Sequence, residues 1–163
     1  MSRPSSSYYY YRPRRTRVTR KILKAAGLAG TRTAGRLPPA VVQRIGLPTT
    51  VREVWVGTDG AFHLSDSRVD LDDVRWCVDN MQTVIEQPSY LDTNVKPPAT
   101  CGLIARITSE MGLYILIKHV TMTTASSGAD ELWIQSMWQL GEASWSRYLK
   151  KDGVVDVNEL LGR

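Results

Sequence analysis

Lys118, His119 and Ser136 stand inside the two most strand-like runs of this 163-residue sequence, "LYILIKHVTM" and "ELWIQSMW". An ordinary core strand would carry apolar side chains at those positions. An ammonium, an imidazole and a hydroxyl are groups that can hold a phosphate and move protons beside it. Period-two geometry sorts them. Leu113, Ile115, Ile117 and His119 share one face of the first run, and Tyr114, Leu116, Lys118 and Val120 the other. In the second run Leu132, Ile134, Ser136 and Trp138 point one way, with Trp133, Gln135 and Met137 the other. Lys118 and His119 can line one surface only if a bulge intervenes. Each residue also has a plain structural reading. Lys118 can snorkel from an edge strand, His119 can be half-buried and satisfied, and Ser136 can fill a small gap between tryptophans that belong to the core.

The second concentration of chemistry is the start of the chain. "MSRPSSSYYYYRPRRTR" interleaves arginines with four tyrosines, a composition suited to phosphate contacts and base stacking. Arg12, Arg14, Arg15, Arg17, Arg20, Lys21 and Lys24 are the candidate nucleic-acid-binding residues. Twelve Lys/Arg and no Asp or Glu occur through Arg52; the remainder holds nine Lys/Arg against sixteen acids, so the net charge of +5 conceals parts of about +12 and −7. That division predicts a basic arm over 1–36, poorly ordered alone, joined to an acidic folded body over 37–163. A membrane surface is a poorer partner for such an arm than a nucleic acid, because no strong apolar stripe accompanies the charges.

What the chain lacks also bounds its function. No window reaches the roughly 18 unbroken apolar residues of a membrane helix. The start has no apolar run of a secretory signal, which predicts a protein kept in the cytoplasm or a virion, although its arginine-rich, acid-free character superficially suits an organelle transit peptide. Cys77 and Cys101 are too few and too far apart for a metal site or disulfide framework, and read as reduced core thiols. Asp72, Asp73 and Asp79 read as a solvated helix face; neither a metal nor a cofactor is expected.

The elements that must position these groups follow from periodicity. "PPAVVQRIGLP" is a short helix framed by prolines and Gly46, and "VREVWVG" a strand over 51–56. "TDGAFHLSDSR" reads as a turn and a short helical segment. "DLDDVRWCVDNMQTVIEQP" is the clearest helix: Leu71, Val74, Val78, Met81 and Ile85 form one stripe, Asp70 caps it and Pro88 stops it. "SYLDTNVKPPAT" reads as a connecting loop. "CGLIARIT", "LYILIKHVTM" and "ELWIQSMW" then form an antiparallel meander joined by "SEMG" and "TTASSGAD", followed by the amphipathic helix "GEASWSRYLKK" and a tail. The expected architecture is α+β: a small antiparallel β-sheet packed against N-terminal helices, with a flexible basic arm.

At this point "VWVGTDGAFHLSDSR", the acid-capped helix ending "VIEQP", "LYILIKHV" and "DELWIQSMWQLGEASWSRYLKK" resemble the Barnase–EndoU–colicin–RelE-like nuclease fold, in the branch carried by phages and prophages. The resemblance spans roughly residues 51–151. It implies a metal-independent ribonuclease, an RNA substrate, and a possible cognate inhibitor. Carried onto this chain, the family pattern implies His63, Arg68, Lys118 and Ser136 as the catalytic set. His63 would be base or acid, Arg68 a planar fork for phosphate, Lys118 a point charge and Ser136 a hydrogen-bond donor. The family's Lys-His-Pro signature is absent; "SDSRVD" stands in its place.

A second reading needs no catalysis: a virion or nucleoprotein component whose arm binds packaged nucleic acid while the body supplies oligomer contacts, with virion proteins as possible partners. In both readings the arm carries the salt-sensitive affinity. Deleting residues 1–36 is expected to abolish most of that affinity, measured as the slope of binding against salt, and to leave the body folded.

Overall fold

The computed structural model describes residues 20–28, 30–57 and 71–162. Apolar residues at helical spacing between Leu71 and Ile85 dictate the central helix, and the alternating runs after residue 100 dictate the strands it covers. In chain order the elements are α1 (Arg20–Ala25), β1 (Arg32–Arg36), α2 (Pro39–Arg44), β2 (Glu53–Val56), α3 (Leu71–Glu86), β3 (Tyr90–Asp92), β4 (Cys101–Arg106), β5 (Gly112–Val120), β6 (Glu131–Leu140), α4 (Glu142–Leu149), β7 (Val154–Asp156) and α5 (Val157–Leu160). The protein is therefore α+β, as expected. The strands form one seven-stranded sheet in the order β1-β2-β6-β5-β4-β3-β7, antiparallel throughout except where β2 runs parallel to β6.

The meander β4-β5-β6 and helices α2, α3 and α4 lie where periodicity put them. Helix α3 buries Val74, Cys77, Val78, Met81, Val84 and Ile85 across β1, β4, β5 and β6. Each such side chain contributes roughly 1.5–3 kcal/mol through burial. Asp72 and Asp73 occupy its first turn, complementing the helix dipole. Asp70, its expected cap, and the segment "TDGAFHLSDSR" lie outside the described residues.

Three strands were not legible. β3 falls in the stretch expected to be a loop, and β7 in the tail; each has three residues, too few for alternation to show. They exist because they complete one another: Leu91 pairs with Leu103 on one side and with Val155 on the other. β1 lies within the expected arm. Thr33 pairs with Trp55 and Gly35 with Val54, and Leu23 of α1 is fully buried in the main core. The folded body therefore begins before residue 37, with Arg20–Ala25 and Arg32–Arg36 built into it. Residues 1–19 lie outside the described residues. A cut at residue 36 removes an edge strand and a core leucine, so a deletion that leaves the described body whole ends at residue 19.

The sheet has two unlike faces. One is covered by α3 over β1, β4, β5 and β6 and holds Leu91, Cys101, Leu103, Leu113, Ile115, Ile117, Leu132, Ile134 and Met137. On the other, α4 packs over β3, β4, β5 and the C-terminal half of β6. There Trp145 packs with Ile104, Tyr114 and Leu140, and Tyr90 and Tyr148 border the cluster. Gly112 is required at this contact, since a Cβ there would lie 2.6 Å from the Trp145 ring. Beneath α4 sits the one buried charged residue among those described, Asp92. Its carboxylate accepts from the Tyr114 hydroxyl at 2.8 Å, from the Lys151 ammonium at 2.7 Å and from the Asn94 amide at 3.0 Å. A side chain at Gly102 would overlap the Tyr114 hydroxyl, so glycine keeps that bond open.

Cys77 and Cys101 are free and buried. Burial, with the negative charge of Asp73 adding to it, pushes the Cys77 thiol up to about 12; burial and Asp92 do the same to Cys101. Burial and its bond to Asp92 raise Tyr114 as well. All three groups keep their protons longer in the folded state than in the unfolded one. The thiol contributions are complete below about pH 9 and are lost as pH climbs toward 12, and the Tyr114 contribution is complete below about pH 10 and is lost above it. Urea midpoints are expected to fall steadily across that window, and the Cys77→Ala/Cys101→Ala double variant to fall less steeply from its own neutral-pH value. An equal slope would remove the thiols from the account.

Candidate nucleic-acid interface

The register of β5 against β6 decides which polar side chains meet. Leu116 pairs with Ser136, but its neighbour Ile117 pairs with Ile134, so Gln135 is one extra residue in β6. Strict alternation would send Met137 to the face opposite Leu132 and Ile134. The bulge corrects its phase, and Ile134 and Met137 both reach the α3-covered core. Burying Met137 gains about 2 kcal/mol. The same shift lets Trp138 stack on Tyr114, with ring centroids 4.4 Å apart and planes 13° apart, a contact of about 1 kcal/mol. Against these stands roughly one ladder hydrogen bond, about 1 kcal/mol. The bulged register wins.

Its consequence is functional geometry. Ser136 does not share a face with Leu132 and Ile134, as simple alternation predicts; it moves to the face of Leu116 and Lys118. Lys118 pairs directly with Trp133, and Trp133 with Trp55 of β2. Trp55, Trp133, Lys118, Gln135 and Ser136 thus gather on the part of the sheet that α4 leaves uncovered, each of them partly exposed. The Trp55 and Trp133 rings are 6.3 Å apart and tilted by 31°. Trp133 is held in place: its indole N–H donates to Glu131 Oε1 at 3.2 Å, and Gly57 lies against its six-membered ring. Glu131 is lowered below the usual carboxylate range, chiefly by the hydrogen bond from Ser127, and stays anionic. Lys118 and Ser136 have no side-chain hydrogen bond or ion pair with another described residue. A cation without a counter-ion, a hydroxyl and two indoles suit a phosphate with its bases.

His119 is on the other side of the sheet, paired with Leu132. Its Nε2 lies 3.0 Å from Asp130 Oδ1, both side chains are 20% exposed, and the same carboxylate oxygen accepts from the Met122 amide at 3.1 Å. This contact clamps the β5–β6 loop, and His119 is a satisfied structural histidine. A bulge does intervene, but in β6, so it relocates Ser136 and leaves Lys118 and His119 on opposite faces.

Of the four residues implied by the family pattern, then, Lys118 and Ser136 come together, and His63 and Arg68 lie outside the described residues. So do Arg12, Arg14, Arg15 and Arg17. Arg20 begins α1, and Lys21 and Lys24 are exposed on that helix. Trp55 and Gln135 were not singled out from sequence. Their signal was present but indirect: the spacing of three between Ile134 and Met137 marks the extra residue, and "EVWV" places Trp55 on the polar face of β2. Among the described residues no cluster of three His, Cys, Asp or Glu could hold a metal, and no helix is long and apolar enough to cross a membrane. A cleft of about 420 Å³ between α2, the end of α3 and α5 is lined by Glu86 and by no Lys or Arg, which does not suit a polyanion.

No protein-family model matches the chain, no curated protein matches its sequence and no solved structure matches its fold.

The clamp and the interface are separable. Asp130→Ala is expected to speed hydrogen exchange at the Met122 amide by about 10-fold or more, since that amide loses its acceptor, and to leave RNA affinity within about twofold of wild type. A large loss of affinity would place the loop in the interface.

Proposed function

We propose that this chain is a metal-independent ribonuclease-like domain of phage or prophage type, taking RNA on the part of its sheet that no described helix covers. The observation that carries the reading is that Lys118 and Ser136, from adjacent strands, share this face through the Gln135 bulge, beside Trp55 and Trp133. In the proposed reaction a base removes the 2′-hydroxyl proton and the resulting oxyanion attacks phosphorus. The bond to the 5′-oxygen breaks as that oxygen takes a proton, leaving a 2′,3′-cyclic phosphate and a 5′-hydroxyl. Lys118 neutralises charge developing on the phosphorane, Ser136 donates to one of its oxygens, and the role of planar phosphate fork is assigned to Arg68. The chain has two histidines, and His119 is bound to Asp130 on the opposite face, so the proton-transfer role falls to His63. The basic N-terminal residues draw the polyanion to an otherwise acidic body.

The tryptophan pair favours a second reading, a non-catalytic RNA-binding component of a virion or nucleoprotein, because stacking needs no acid or base. Labelled RNA incubated with the purified protein in EDTA separates the two. Cleavage is expected, with His63→Ala slowed by about 100-fold or more and Lys118→Ala by a comparable factor. RNA that stays intact, with His63→Ala indistinguishable from wild type, would leave only the binding reading.

A further inference from the structure

The sheet needs a residue at position 135 for the bulge, but it does not need the carboxamide of Gln135. Gln135 is the extra residue of the bulge, where ladder pairing is already broken. Its Oε1 is buried and has no hydrogen-bond partner, the one such side-chain atom among the described residues. A buried acceptor without a donor destabilises the free protein, whereas an apolar side chain of equal length would cost nothing there. Departures from full hydrogen bonding are expected at functional sites.

The surroundings define that ligand. Ile134 and Met137 bound the bulge on the core side, so Gln135 and Ser136 both belong to the uncovered face. Two residues before Gln135 stands Trp133, its ring pinned by Glu131 and Gly57 and adjoined by Trp55. Directly across from Trp133 is Lys118. An indole held at a fixed angle, a cation about one cross-strand spacing away and an amide acceptor beyond it match the parts of a nucleotide. The ring stacks, the phosphate meets the ammonium, and an N–H of the base edge meets the carboxamide. Only an unpaired base offers both its flat surface and its Watson–Crick edge; in a duplex both are occupied.

Resting on the RNA reading above, we infer that Gln135 is a specificity-determining residue, which accepts a hydrogen bond from the edge of one unpaired RNA base stacked at Trp133 while Lys118 holds the adjoining phosphate. The substrate is then single-stranded RNA or a loop, and the partly exposed Gln135 side chain moves out from the bulge to present its amide, with Oε1 as acceptor, to the base edge. The free protein carries the cost of the unfilled acceptor, and the complex recovers it.

The test uses the full chain with a short 2′-O-methyl single strand, which cannot be cleaved, the matching duplex, and inorganic polyphosphate. Wild type is expected to bind the single strand more tightly than the duplex. Gln135→Met is expected to raise the melting temperature and weaken single-strand binding by about 10-fold, with polyphosphate binding unchanged. Trp133→Leu should show the same selective loss. If Gln135→Met lowers the melting temperature and leaves single-strand affinity intact, Gln135 is structural and the inference fails while the RNA reading stands. If wild type binds the single strand no better than polyphosphate, the RNA reading fails and takes the inference with it.

Discussion

One extra residue in β6 sets everything that the interface has. The β6 sequence carries two apolar sets in opposite phase, Leu132 and Ile134 in one and Met137 in the other, and a strand with strict alternation buries only one of them. Admitting Gln135 as a bulge lets both enter the core and lets Trp138 lie on Tyr114. The hydrophobic gain exceeds the lost ladder bond, so packing on one side of the sheet dictates which polar groups appear on the other. Ser136 meets Lys118 as a by-product of burying Met137.

The second constraint is the partial cover given by α4. The helix is short, and it is fixed where Trp145 fits over Gly112 and where Lys151, just past its end, reaches the buried carboxylate of Asp92. That carboxylate also holds Tyr114, which in turn carries Trp138, so one buried charge ties together the end of α4, β3 and β5. Because the helix packs over β3, β4 and the neighbouring halves of β5 and β6, Trp55 of β2, Trp133 and Ser136 of β6 and Lys118 near the end of β5 stay partly exposed. Rigid support on one half of a face and access on the other is the arrangement a binding sheet requires. Of the described acids near this face, Glu53 is paired with Arg36 and Glu131 is held by Trp133 and the Ser126–Ser127 turn, whereas Lys118 has no described counter-ion.

Much of the fold was legible because long periodic segments leave few alternatives. Helix α3 showed itself through five residues at 3-4-3-4 spacing, and the late meander through alternation and short turns. β1, β3 and β7 did not, since each depends on a partner remote in sequence: Thr33 on Trp55, and Leu91 on Val155. The same reason hid the reach of the body into the basic start, where Leu23 is the buried anchor among exposed lysines.

Local chemistry in the sequence determined the α+β class, the meander, the central helix, the reduced and buried cysteines, and the separation of a basic start from an acidic remainder, since each follows from side-chain type and short-range period. It also named Lys118 and Ser136 as polar residues out of place. Only the tertiary structure decided that these two share a face, that His119 belongs to the opposite one, and that Trp55 and Trp133 stand beside them. The phase of a strand is a property of how its whole apolar set packs, and a single inserted residue reverses it for every side chain that follows.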